Sequence, residues 1–189
     1  MDADAERGIR RGRLEGISDG IMAVAITLLV LGIDAPMPRD GESLLQAFDA
    51  DSLGAIALFA LSFFLIARFW LLHHDALDRL PEVVPMRIVA LNFAFLATIC
   101  LMPFSTELYS NHNDDVTAVA IYAGTIALAS GLIALISRLG GHPSRRGPIA
   151  IAVILAAIPF SLVVGPQWAP IVWVTLLVVP HGTRLRRRR

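Results

Sequence analysis

Three groups of residues in this chain have the types that do chemistry inside a protein. His73-His74-Asp75 is the cluster with metal-ligand character. Adjacent histidines on a helix point about 100° apart, so a regular helix cannot aim both at one ion. The expectation is therefore an interfacial helix end, with one histidine turned inward to a hydrogen bond and no metal site. Ser18-Asp19 is the second group, at the head of an apolar run. There a hydroxyl or carboxylate can cap the free amides of a helix N-terminus and oppose its positive dipole end. The small residues that follow, Gly20, Ala23 and Ala25, permit close helix packing. The third group is a scatter of neutral polar residues inside apolar runs: Thr27, Ser62, Asn92, Thr98, Thr125, Ser130 and Thr175. No nucleophile, base and orienting acid fall on neighbouring turns, which argues against an enzyme. Titratable groups lie only near the ends of the runs, as Asp19, Arg68 and Glu107 do. A proton pump or proton-coupled carrier needs one near the midplane.

The elements that must position these groups follow from composition. Of 189 residues, 56% are hydrophobic and 17% charged, with a formal net charge of zero and a mean hydropathy of +0.65. Soluble domains run nearer 45–50% apolar and about 25% charged. Such a chain is expected to be an all-α integral membrane protein, a single domain over residues 1–189. A span needs about 20 mostly apolar residues, and six stretches qualify: 17–33, 52–72, 88–106, 116–136, 149–164 and 168–179. Trp168 and Trp173 read as interface anchors of the short sixth span, and Gly165-Pro166-Gln167 turns the fifth into it. Residues 1–16 are highly charged, and the run after them is span-length with no small-residue cleavage site. The first helix is thus expected to remain rather than serve as a signal peptide. The single cysteine, Cys100, lies in an apolar run and reads as a small buried hydrophobe.

Charge placement orients the spans. All sixteen basic residues are arginine. Fifteen of them, with eight acids, fall on the side of the N-terminus, the 2–3 and 4–5 loops and the C-terminus. Arg39 with Asp34, Asp40, Glu42, Asp49, Asp51, Glu107, Asp114 and Asp115 falls on the other. The positive-inside rule then puts both termini in the cytoplasm, with the chain in the cell membrane. The acidic outer loops could concentrate cations or simply reflect topology. The tail Arg184 and Arg186 to Arg189 suits anionic lipid headgroups or orientation alone. Nothing else points to nucleic acid.

The first span carries a resemblance. Arg13, three residues, then Ile17-Ser18-Asp19-Gly20, followed by Ala25-Ile26-Thr27-Leu28-Leu29-Val30-Leu31, is similar to the signature of the bacterial transmembrane protein 175 potassium-channel family, which reads Arg, three residues, Phe-Ser-Asp. Ser62-Phe63-Phe64, Trp70-Leu71-Leu72-His73-His74, Leu91-Asn92-Phe93 and Met102-Pro103-Phe104-Ser105-Thr106 continue it. The likeness covers the first three spans, and the last three agree only in number and hydrophobicity.

The resemblance implies a homotetramer of six-helix subunits around a central pore lined by the first helix, passing potassium passively and needing no cofactor. It implies a hydrophobic constriction at Val24, with Thr27, Leu28 and Leu31 as further pore-facing residues and Thr27 tied to selectivity. It also implies a cytoplasmic-side network of Arg13, Ser18, Asp19 and Gly20 with Trp70, His73 and Asn92, locking helix one to helices two and three. No Thr-Val-Gly-Tyr-Gly filter loop occurs in the sequence, in keeping with a pore that lacks carbonyl rings. Two positions depart from the signature: Ile17 replaces its phenylalanine, and Val24 stands where isoleucine or leucine is common. The alternatives are a secondary carrier and a non-conducting structural membrane protein.

Overall fold

A computed structural model describes residues 8–141 and 147–178 of the chain. Helix α1 runs Arg11–Leu28 and tightens into a 3₁₀ turn over Leu29–Gly32. Next come α2 (Ala50–Leu77), α3 (Met86–Cys100), α4 (Met102–Asn111) and α5 (Val116–Leu139). A pair, α6 (Gly147–Val164) and α7 (Ala169–Val178), follows around a 3₁₀ turn at Pro166–Trp168. Pro103 separates α3 from α4: it brings no N–H for the carbonyl of Ile99, and Leu101 instead donates to Thr98 in a tighter turn. The two remain one rod over Met86–Asn111.

Among the described residues, four helices are long and apolar enough to cross a membrane: Arg11–Gly32, Asp51–Leu77, Met86–Asn111 and Val116–Leu139. The 22 residues of the first reach about 33 Å, the thickness of a hydrocarbon core. The apolar part of α6 is shorter, Ile151–Val164. The expected sixth span ends at Val179, outside the described residues, as do Arg7, Arg145, Arg146, Arg184 and Arg186 to Arg189.

The hairpin order gives the bundle one basic and one acidic end. The start of α1 lies against the end of α2, where the Arg11 guanidinium donates to the carbonyls of Asp78 and Leu80. At the opposite end the side chain of Glu107 lies beside Gly32. Helices α2 and α5 start there, capped by the carboxylates of Asp49, which accepts from the Ser52 amide, and Asp115, which accepts from the Thr117 amide. Both carboxyls sit below the usual carboxylate range because those hydrogen bonds favour the ionised form.

Four features differ from the sequence expectation. A two-stranded antiparallel ribbon, β1 (Gly8–Arg10) against β2 (Val83–Pro85), joins the entry of α1 to the α2–α3 loop, so the fold is not purely helical. Helix α1 begins at Arg11, so Ser18 and Asp19 lie in its middle and cap no N-terminus. The Arg11–Glu15 ion pair, one turn apart, and the hold of Arg11 on the end of α2 carry the helix past the apolar run. Trp173 is fully buried rather than interfacial, because α7 folds back on α6 and presses its indole onto Tyr109 and Tyr122. Cys100 is exposed, on the outer side of the α3–α4 break.

Candidate functional site

The site is built on α1, whose two faces have opposite character. Leu14, Ser18, Met22, Ala25 and Leu29 recur every three to four residues and are buried against α2, α3 and α4. Two of them are polar or small, so apolar burial alone does not fix the helix's rotation. A chain of hydrogen bonds does. Asn92 on α3 donates its amide N–H to Ser18 Oγ at 3.1 Å, and Ser18 donates onward to the Leu14 carbonyl at 2.7 Å. His73 Nε2 lies 2.6 Å from Asn92 Oδ1. An amide oxygen only accepts, so Nε2 carries the proton and donates. The His73 ring stacks face to face on Phe95, centroids 5.2 Å apart, which fixes its orientation. Ser18, His73 and Asn92 are all buried, and each has its partner, as buried polar groups require.

One residue further on, Trp70 Nε1 donates to Asp19 Oδ1 at 2.8 Å at the bundle surface. His74 faces outward and stacks on Trp70. The structure thus brings together Ser18, His73 and Asn92 in one chain, and Asp19 and Trp70 in a second contact beside it. Arg13 joins neither: it is exposed and makes no hydrogen bond or ion pair among the described residues. Gly20 is exposed, with open space where a Cβ would sit. No cluster of three or more potential metal ligands occurs among the described residues.

The other face of α1 is open. Ile17, Gly20, Val24, Thr27, Leu28 and Leu31 are exposed, Val24 by 56% and Leu31 by 75%. Of the apolar 18-residue stretch of this span 28% is buried, against 33% for Asp51–Leu77, 39% for Val116–Leu139 and 50% for Met86–Asn111. The helix therefore lies at the edge of the subunit. The Thr27 hydroxyl donates to the Val24 carbonyl at 2.8 Å, leaving its oxygen lone pairs directed outward.

A second buried polar chain has no counterpart in the sequence reading. Tyr122 OH on α5 and Ser62 Oγ on α2 are 2.8 Å apart, and Thr106 Oγ1 on α4 is 2.9 Å from Ser62 and 2.7 Å from the Met102 carbonyl. Its sequence signal is a tyrosine within an apolar span, since a buried phenol needs a partner. The role of Arg11 at the end of α2 was signalled only by its spacing from Glu15.

These features define a polytopic helical membrane protein whose edge helix is gripped by its two neighbours on one side and bare on the other. Residues 13–103, just under half of the chain, match the family described as endosomal/lysosomal potassium channel TMEM175. The chain is 29% identical over 137 residues, 72% of its length, to a potassium channel of Streptomyces collinus. It is 35% identical over 135 residues, 69% of its length, to a potassium channel of Chamaesiphon minutus. The matched stretch covers 66% and 64% of those two proteins, just under two thirds of each. The fold is that of the crystal structure of a lysosomal potassium-selective channel TMEM175 homolog from Chamaesiphon minutus. The TM-score is 0.77 at 23% identity, over 89% of this chain and 94% of that one.

Proposed function

We propose that this chain is a potassium-preferring cation channel of the cell membrane, a homotetramer of six-span subunits with both termini cytoplasmic. The observation that carries the reading is the bare face of α1. A helix held in rotation by buried polar bonds, yet exposed from Ile17 to Leu31, presents a fixed apolar stripe to something outside its own subunit. Four such stripes around a central axis enclose a pore, which one helix cannot do. Kinship with channels of Streptomyces and Chamaesiphon supports the same reading.

In this account Val24 forms the constriction, with Thr27, Leu28 and Leu31 lining the pore beyond it. A ring of valines controls passage by its width and by the ease with which it wets, without a loop of carbonyl oxygens. The Ser18–Asn92–His73 chain and the Asp19–Trp70 contact act as positioning groups that hold the stripe toward the axis; Gly20 allows neighbouring helices to approach, and Arg13 contributes positive charge at the cytoplasmic mouth. Conduction is passive and non-enzymatic, with potassium as permeant ion and no cofactor. Lengthening the ring side chain by one methylene, Val24→Ile, is expected to lower single-channel conductance and leave potassium preference unchanged or higher; higher conductance contradicts the assignment.

The test is the reversal potential of purified protein in a planar bilayer under opposed potassium and sodium gradients. A potential near the potassium equilibrium value supports the proposal. Silence from folded, oligomeric protein overturns it.

A further inference from the structure

At the acidic end of the bundle, a cleft of about 330 Å³ opens between α2, the end of α4 and α7. Its lining changes character with depth. Asp51, Asn113 and Gln167 form the rim, and Gly54, Leu61 and Val174 line the part nearer the middle of the bundle. From Asp51 to Leu61 is ten residues of helix, about 15 Å, which is half of a ~30 Å hydrocarbon core. The cleft therefore has the depth of one leaflet, polar at the interface and apolar toward the midplane. It exists because α2 carries glycine and alanine where larger side chains would close the gap: a Cβ built at Gly54 meets nothing within 4 Å.

The rim selects among lipids. Asp51 is the one charged residue lining the cleft among the described residues, and Asp49 and Asp115 cap the neighbouring helix ends. An anionic headgroup would meet only like charge there, whereas an ammonium would pair with Asp51. The amide N–H groups of Asn113 and Gln167 can donate to phosphodiester oxygens. A headgroup bearing both an ammonium and a phosphate satisfies all three.

We propose that this cleft is a binding site for a phospholipid with an ethanolamine headgroup, one acyl chain lying along α2 between Gly54 and Leu61. The site is separate from α1 and does not depend on the chain conducting ions.

The test is native mass spectrometry of the full chain in detergent, offered equal amounts of dioleoyl phosphatidylethanolamine and dioleoyl phosphatidylglycerol. The expected result is retention of phosphatidylethanolamine over phosphatidylglycerol by roughly fivefold, the effect of one charge-assisted hydrogen bond. Asp51→Asn should bring the preference close to unity. Gly54→Leu should cut retention of both lipids while helix content and elution volume stay unchanged, since it fills open space and favours the helix. Equal retention of the two lipids by the unaltered chain, or undiminished retention by folded Gly54→Leu, overturns the proposal. So does disulfide cross-linking between copies carrying Gly54→Cys with Cys100→Ser, which would show a second subunit in the cleft.

Discussion

The Ser18–Asn92–His73 chain and the Tyr122–Ser62–Thr106 chain use similar chemistry at different places in the bundle. Each threads three helices, and each lies wholly in the interior. The second is enclosed by α2, α4 and α5 and flanked by the Tyr109, Tyr122 and Trp173 rings, so apolar packing would hold those helices together without it. The first grips α1, the least buried of the four long described helices, whose apolar hold on its neighbours rests on Leu14, Met22, Ala25 and Leu29. Polar bonds decide rotation where apolar burial is thin, and merely add stability where it is thick. One chain should therefore govern function and the other only folding.

The strongest break in this comparison is Asn92→Leu. It strands the His73 Nε2–H in the interior, while Ser18 keeps its bond to the Leu14 carbonyl, a cost of roughly 1–3 kcal/mol from one unpaired buried donor. The thermal midpoint in detergent should fall sharply, and surviving channels should lose potassium preference. Asp19→Ala comes next. Loss of the Trp70 contact at the surface should cost about 1 kcal/mol in each subunit, and a tetramer would feel it four times, seen as earlier dissociation in detergent. Unaltered oligomer stability would remove Asp19 from the positioning set.

Tyr122→Phe sharpens the contrast from the other side. It removes one hydroxyl while Ser62 keeps Thr106 as partner, so the expected loss is about 1 kcal/mol with reversal potential unchanged. A shift in selectivity here would mean that both chains act on the pore. Acid should have the smallest effect. The capping carboxyls of Asp49 and Asp115 have lowered folded-state pKa values, so their contribution is complete above the ordinary carboxylate range. It is lost as pH falls through that range and below it. Asp115→Asn, which keeps a capping oxygen without the charge, should flatten part of this acid loss in a thermal-shift series.

Much of this architecture was legible in the sequence because a membrane makes strong demands on it. Apolar runs of span length, and arginines gathered between alternate runs, gave the antiparallel order of the first helices. The signature residues Ser18, Asp19, Trp70, His73 and Asn92 identified which helix ends meet. The start of α1 was hidden because hydropathy does not register a helix extended by an ion pair and a cation on a neighbouring helix end, as Arg11 and Glu15 do. The β1–β2 ribbon is three residues long on each side, too short for alternation to show. Trp173 was misplaced because tryptophan near a span end suits an interface as well as a core. Only the fold of α7 back toward Tyr122, through Gly165 at φ +117°, decides between them.

The central claim is that the bare face of α1 lines the ion path. Its most direct test is modification by a small thiol reagent of channels carrying Val24→Cys, with Met22→Cys on the buried face as the matched control, both in a Cys100→Ser background. The account expects rapid block of potassium current at position 24 and none at position 22. Full labelling at position 24 with the current unchanged, or block at position 22 instead, would contradict it.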